Sequence, residues 1–326
     1  MNFKDFYQGK KVLVTGADGF MGSHLAERLV DYGAEVIAFV RWSALITPHN
    51  IRLKNISHLK DKVKIISGNI GSYDVIETIR KEKPEIIFHL AAEAYVNKSF
   101  TQPREVIDAN VTGTLNILHA CLNEEMKPQD FTKRIVVTSS SEIYGTYNEK
   151  ISENFEMNPS SPYGASKAAA DRLAYSYYNT YGLPIAIIRP FKTYGPRHTY
   201  DAPNRFIALE LSGKDITVYG TVAQTRDLMY VDDTVDAFLI MGVHEKAIGE
   251  AVNFGTGKDT RIIDLAKKIV EISESNSKII NLPSRPSEVM RLCCDNSKAK
   301  KLFGWGPKVS VDEGLKKNIE FVKKNL

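Results

Sequence analysis

The chain has 326 residues, 43% of them apolar and 25% charged, and its 43 lysines and arginines exceed its 39 acidic residues by only four. That length suffices for a sizeable core, and so slight a charge excess, without a basic arm, argues against a nucleic-acid polymer as partner while suiting a phosphate-bearing ligand. No run approaches the ~20 apolar residues that span a bilayer, the opening Met1-Asn2-Phe3-Lys4-Asp5 lacks the apolar stretch of a signal peptide, and three cysteines (Cys121, Cys293, Cys294) without CxxC or metal-ligand spacing fit a reduced, cytoplasmic protein with no metal site.

The run Lys11-Val12-Leu13-Val14 predicts a strand, followed by a helix over Phe20–Tyr32. Glu35–Val40 and Val63–Ile66 predict the second and third strands, the helical run Tyr73–Lys81 leads to a fourth at Glu85–His89, and one long helix is expected over Pro103–Asn123. Arg134–Thr138 predicts a fifth strand, Tyr163–Tyr181 a helix and Ile185–Ile188 a sixth strand; Cys293 and Cys294 read as strand residues rather than a redox pair. Near-continuous apolar strands alternating with helices indicate an α/β fold with a parallel sheet covered on both faces, the doubly wound, Rossmann-type arrangement. After Pro190 the rhythm weakens. Residues 1–190 are therefore expected to form a dinucleotide-binding domain, and residues 191–326 most of a smaller, interleaved substrate-binding lobe.

The first strand runs into Thr15-Gly16-Ala17-Asp18-Gly19-Phe20-Met21-Gly22. The three glycines suit a tight turn, close approach of the backbone to a pyrophosphate, and close helix–sheet packing. The helix N-terminus behind them, Asp18 to Gly22, offers amide donors and a positive dipole end to phosphate. This context, strand before and helix after, is what gives a glycine pattern meaning. At the end of the second strand stands Arg41, where an acidic residue would bind the ribose 2′-hydroxyl of NAD. An arginine there can hold a 2′-phosphate and points to NADP; an arginine stacked on adenine, with NAD in use, is the alternative. Asn69, ending the third strand in Gly68-Asn69-Ile70, is placed to bond the adenine.

In Ser161-Pro162-Tyr163-Gly164-Ala165-Ser166-Lys167, Tyr163 and Lys167 are four apart on one helix face. A lysine so placed favours the tyrosinate, which can take a proton from a sugar hydroxyl while hydride leaves the same carbon. The fifth strand ends in Thr138-Ser139-Ser140-Ser141-Glu142-Ile143-Tyr144-Gly145. Ser140 is placed to bond the same substrate oxygen as Tyr163. Glu142 suggests chemistry at a second carbon, because alcohol–ketone exchange needs no further base; a Glu that only bonds a sugar hydroxyl or backbone is the plainer reading.

These motifs, together with His89-Leu90-Ala91-Ala92-Glu93, Asn110-Val111-Thr112-Gly113-Thr114, Arg189–Arg197, Thr225–Asp233 and Asn253–Gly257, resemble over nearly the whole chain the extended short-chain dehydrogenase/reductases of the NAD-dependent epimerase/dehydratase group, which act on nucleotide sugars. The resemblance implies catalytic roles for Ser140, Ser141, Glu142, Tyr163 and Lys167. It also implies cofactor contacts from Ile70, Leu90, Ala91 and Ala92 besides those above. Glu93, Lys192, Arg197, Arg226 and Arg291 would face substrate, with Arg226 on the diphosphate; Asn110 would support the active site; and a four-helix interface would form a homodimer. The Ser140-Ser141-Glu142 sequence is closest in motif to nucleotide-sugar 4,6-dehydratases, which form 4-keto-6-deoxy sugars. Ser141 stands where an aspartate acid is frequent, so Glu142 would serve as base and acid. A C4 epimerase or a uronic acid decarboxylase on the same scaffold stays open, and a catalytically silent dinucleotide sensor is disfavoured by the intact Ser140, Glu142, Tyr163 and Lys167. The run Arg285-Pro286-Ser287-Glu288-Val289 through Asp295-Asn296-Ser297-Lys298 resembles dehydratases of bacterial nonulosonic acid pathways, implying a GDP-linked N-acetylhexosamine or a similar GDP- or UDP-hexose. Lys192 and Glu93 replace the asparagine and the neutral residue usual in the family.

Overall fold

The structure, a computed structural model, describes residues 2–41, 46–47, 50–51, 53–284 and 288–325. The chain divides into two compact units. The first comprises residues 1–140, 161–189 and 235–252, the second residues 141–160, 190–234 and 253–326. Compared with a single cut at 190, residues 141–160 fall in the second unit and 235–252 in the first.

The first unit is built on β1 (Lys11–Thr15), β2 (Glu35–Arg41), β3 (Lys64–Gly68), β4 (Ile86–His89), β5 (Arg134–Thr138) and β6 (Ile185–Pro190), with β7 (Ala251–Phe254) completing a seven-stranded sheet of order β3-β2-β1-β4-β5-β6-β7. The pairs from β3 through β6 are all parallel. Strand order reverses direction between β1 and β4, and such a switch point opens a ligand crevice at the carboxyl ends of the strands.

Alternation along each strand sorts the side chains. Leu13, Ile37, Phe39, Ile87, Ile135, Val137 and Ile187 face one side and form a buried cluster with Val75, Ile79, Ile117, Leu118 and Ala174 of the helices there. On the other side, Val12, Val14, Val36 and Ala38 are buried as well, with helix α1 (Phe20–Asp31) against β1 and β2 and the Phe88 ring edge-on to Phe238. Each such side chain contributes about 1.5–3 kcal/mol on burial, which is why these strands read as unbroken apolar runs.

The long helix expected over Pro103–Asn123 is broken. An α-turn over Pro103–Ile107 gives way to a π-helical turn, Asp108–Thr112, before α-helix resumes at Gly113–Ala120. The extra residue in the π-turn serves Asn110, whose side chain is committed to tertiary bonds described below. A further helix, Val96–Thr101, precedes it. The helix Pro162–Tyr181, called α2 here, follows the expected span. Ser161 Oγ caps it by accepting from Gly164 N–H at 3.0 Å, Pro162 occupies its first turn, and Gly182 ends it at φ +68°.

In the second unit, Thr225–Tyr230 pairs in parallel with Lys192–Tyr194 and Arg291–Leu292 and antiparallel with Asp259–Arg261. Helices Ala202–Leu211, Ile262–Ser273 and Val311–Asn325 also belong to it. The strand Arg291–Leu292 ends just before Cys293; Cys294 makes an isolated bridge to Ile151, and all three cysteines are buried and free.

Candidate active site

β1 delivers the chain into Gly16 at φ +70°. A β-carbon on Gly16 would lie 2.9 Å from Ala91 N, and one on Gly22 would lie 2.2 Å from Gly16 O. Only glycine permits the first turn of α1 to sit this close to the strand end, and the same contact joins the turn to the Leu90-Ala91-Ala92 loop after β4. Gly19 is the N-cap residue of α1 and supplies no side-chain cap, so the first-turn amides near Phe20, Met21 and Gly22 lack intrahelical carbonyls. Such amides could cradle an anionic group. The Asp18 carboxylate is directed elsewhere: it accepts from the backbone N–H groups of Lys54, Asn55 and Ile56 at 3.1, 2.7 and 3.2 Å. It therefore braces the cradle through that segment.

Arg41 ends β2 with 77% of its side chain exposed and its guanidinium 3.4 Å from Glu93, which also accepts from Lys98 Nζ at 2.8 Å. Asn69 accepts from Gly71 N–H at 3.0 Å, and Ile70 is buried where a β-carbon on Gly113 would strike it. Cradle, exposed cation at the end of β2 and polar end of β3 together fit a dinucleotide. Glycine turn and helix N-terminus would hold its pyrophosphate and Arg41 its adenosine ribose.

Lys167, four residues into α2 after Tyr163, is 5% exposed, and its ammonium donates to Thr138 O at the end of β5. Burial pushes the amine down to about 8, against the opposing pull of Asp171 one turn further on. Asp171 is itself fully buried and receives Arg189 Nε at 2.8 Å and Nη2 at 3.0 Å. Burial works against its ionisation, but the bonds and charge of Arg189 outweigh it and hold the carboxyl below its usual range. Asp171 and Arg189 escaped the sequence reading; the signal available was an acid one turn after Lys167.

Asn110 in the π-turn clamps the Glu93 backbone, accepting from its N–H at 2.8 Å and donating to its carbonyl at 3.2 Å. The same amide donates to Ser166 Oγ at 2.9 Å, and Ser166 donates to Tyr163 O at 2.7 Å. The helix bearing Tyr163 and Lys167 is thus tied to the loop after β4.

Ser140 is buried just beyond β5 in the first unit. Ser141 and half-buried Glu142 belong to the second unit, in a one-turn 3₁₀ helix, Ser141–Ile143. Tyr144, next in line, is fixed by a 2.8 Å bond from its hydroxyl to Asn253 Oδ1, whose Nδ2 donates to Ile151 O.

In the second unit Lys192 and Arg226 share a sheet face, because Lys192 lies beside Leu228. Lys192 Nζ is 2.8 Å from Asp201 Oδ2, which also meets His198 Nε2 at 2.6 Å. Burial opposes ionisation of Asp201, yet the charges of Lys192 and His198 hold it well below the carboxylate range. Arg197 adopts a left-handed backbone at φ +70°. Arg226 Nη1 donates to Thr225 O, and Arg291 is bound to Asp259 at 2.9 Å and to Asn148 O. Arg285, Pro286 and Ser287 lie outside the described residues. Among the described residues there is no group of three or more His, Cys, Asp or Glu suited to a metal ion, and no helix is long and apolar enough to cross a membrane.

The family model of GDP-mannose 4,6-dehydratase matches residues 13–318. A trifunctional UDP-glucose 4,6-dehydratase/3,5-epimerase/reductase of Arabidopsis thaliana is 32% identical over 98% of the chain, which spans about half (48%) of that relative's length. A dTDP-D-glucose 4,6-dehydratase of Dictyostelium discoideum is 31% identical over 100% of this chain and 84% of its own. The structure of a Bacillus cereus UDP-glucuronic acid 4-epimerase with UDP-glucuronic acid and NAD superposes with a TM-score of 0.87 at 30% identity, covering 97% of this chain and 100% of that one. With the phosphate cradle, the Tyr163–Lys167 helix and these matches in hand, the chain belongs to the GDP-mannose 4,6-dehydratase family of extended short-chain dehydrogenase/reductases, whose relatives are NAD-dependent nucleotide-sugar dehydratases and epimerases.

Proposed function

We propose that the chain is a nucleotide-sugar 4,6-dehydratase, converting a nucleoside-diphosphate hexose into its 4-keto-6-deoxy form through transient oxidation at C4. The observation that carries this reading is Glu142, a carboxylate two residues beyond Ser140 in the turn that follows β5. Oxidation at C4 alone needs Ser140, Tyr163 and Lys167. A further carboxylate suits chemistry at a second carbon.

In this mechanism Tyr163 takes the proton of the C4 hydroxyl, with Ser140 bonded to the same oxygen and the Lys167 ammonium stabilising the phenolate. A nicotinamide dinucleotide held by the glycine turn and Arg41 would supply the hydride exchange between C4 and C6. The C4 ketone acidifies the C5 proton, which Glu142 removes and hands to the departing C6 hydroxyl, releasing water. A proton from solvent then restores C5, and the proton held on Tyr163 returns to solvent. With Ser141 in place of an acid, Glu142 performs both transfers.

The cofactor is proposed to be NADP, held at its 2′-phosphate by Arg41, which would exchange its long contact with Glu93 for the phosphate. Arg226 is assigned to the substrate diphosphate of a GDP- or UDP-hexose, with Glu93, Lys192, Arg197 and Arg291 as the other substrate-facing residues. Two copies of the chain would pair through the helical face carrying Ile107, Leu115 and Tyr175, all exposed, in the cytoplasm, where the free cysteines stay reduced.

The second reading is a C4 epimerase, favoured by an epimerase structure that matches this chain as well as the dehydratases do. A decarboxylase would need a cation for the substrate carboxylate, and Lys192 is already paired with Asp201. Mass spectrometry of the purified protein incubated with GDP-, UDP-, dTDP- and CDP-hexoses separates the three. Loss of water is expected; an isomer of unchanged mass would mean an epimerase, and loss of carbon dioxide a decarboxylase.

A further inference from the structure

His89 ends β4 at 3% exposure, surrounded by apolar strands, and both of its ring nitrogens have partners. Nδ1 lies 2.9 Å from Thr15 Oγ1, and Nε2 lies 3.0 Å from Thr114 Oγ1. The direction of each bond follows from what the hydroxyls do next. Thr114 Oγ1 lies 2.6 Å from the backbone carbonyl of Asn110, which can only accept, so the Thr114 hydroxyl proton is spent there. Thr114 must then accept from His89, and Nε2 carries the ring proton. Nδ1 is left as an acceptor, which the Thr15 hydroxyl satisfies by donating, while Thr15 Oγ1 accepts the Ala91 N–H at 3.1 Å.

The bonds form one directed chain, each link using a different donor: Ala91 N–H to Thr15, Thr15 to His89, His89 to Thr114, Thr114 to Asn110 O. From Asn110 the side-chain amide continues through Ser166 to the carbonyl of Tyr163. One end is the residue before Gly16 together with the Ala91 amide against which Gly16 packs. The other is the first turn of the helix bearing Tyr163 and Lys167.

We infer that His89 is a positioning residue, a neutral Nε2-protonated imidazole that fixes the dinucleotide cradle in register with the Tyr163–Lys167 helix. This rests on the reading of cradle and helix as cofactor and catalytic elements, and holds for a dehydratase or an epimerase alike. The neutral state suits the surroundings: burial and the facing Lys167 charge push the imidazole down to about 3. A protonated ring would have two donors and would force Thr15 to accept twice, stranding its own hydroxyl proton.

The test has two parts. Nitrogen-15 NMR of protein labelled at its seven histidines, with the His89 signal assigned by its absence in His89→Gln, should show an Nε2–H tautomer that does not titrate between about pH 5 and pH 9, where an ordinary histidine does. An Nδ1–H ring, or an imidazolium in that range, would overturn the inference whatever the substrate proves to be. In the second part, Thr114→Val removes the acceptor of the His89 proton at nearly constant volume, and Thr114→Ser keeps it. Thr114→Val is expected to lower kcat about tenfold or more through misplacement of Tyr163 against the cofactor, with sugar KM little changed and the pH profile unmoved, and Thr114→Ser to restore it. A Thr114→Val enzyme with full kcat would refute the positioning role. A displaced acid limb of the profile would mean that His89 itself carries the proton. If no sugar turns over, the tautomer still decides the inference, separately from the fate of the functional reading.

Discussion

Replacing Lys167 with methionine should abolish activity and shift stability relative to wild type more favourably at pH 7 than at pH 10. The buried ammonium has its pKa lowered from 10.5 to about 8. Because the folded-state value lies below the unfolded one, the unfolded chain binds more protons between the two, and stability rises with pH across that window. The cost of holding the charge in the fold is therefore fully present below about pH 8 and relieved as pH climbs toward 10.5. From the two values the cost is about 3 kcal/mol at pH 7 and about 1 kcal/mol at pH 10. Methionine has similar length and no charge. The lost bond to Thr138 O and any packing defect weigh equally at both pH values, so they cancel in a difference. Urea unfolding of wild type and Lys167→Met at pH 7 and pH 10 should show the variant gaining about 2 kcal/mol relative to wild type at the lower pH. His89 and Asp171 both titrate far below the window and do not disturb this. Equal stability differences at both pH values would show that the lysine is not held charged at a cost, and the account of its burial would fail.

Three further outcomes are expected. Glu142→Gln should bind cofactor and sugar nucleotide with unchanged affinity, measured by calorimetry, while turnover falls about 10²–10⁴-fold; undiminished turnover would remove Glu142 from the mechanism. Gly22→Ala places a methyl 2.2 Å from Gly16 O, a backbone atom that cannot swing aside, so a loss of about 1–3 kcal/mol in stability and weakened cofactor binding should both appear in thermal melts with and without dinucleotide. Arg41→Ala should weaken NADP by about tenfold or more and NAD much less, by fluorescence titration; equal losses would favour NAD.

The sheet was legible because a parallel strand covered on both faces must be apolar along its length, and Leu13, Ile37, Ile87, Val137 and Ile187 all obey that rule. The cradle was legible because Gly19 and Gly22 answer to Gly16 within seven residues, although Gly16 itself also packs against Ala91 far along the chain. The π-turn at Asp108–Thr112 was not, since its apolar spacing is that of a helix and its cause is a bond from Asn110 to Ser166, 56 residues away. Asp18 stands in the glycine run, and the partners of its carboxylate at Lys54–Ile56, 36 to 38 residues on, could not be read there. The same holds for Lys192, whose ion pair with Asp201 in the following loop could not be read from the substitution alone. Contacts set by neighbours in sequence could be read, and those set by partners distant in sequence could not be read from spacing.

The central claim is that a proton leaves C5 under the action of Glu142. Turnover of the accepted hexose in deuterium oxide tests it directly. The account predicts a dehydrated, 4-keto product carrying one solvent deuterium at C5, seen by mass and by proton NMR. A product of unchanged composition without deuterium, its C4 configuration inverted, would contradict it and make the protein an epimerase.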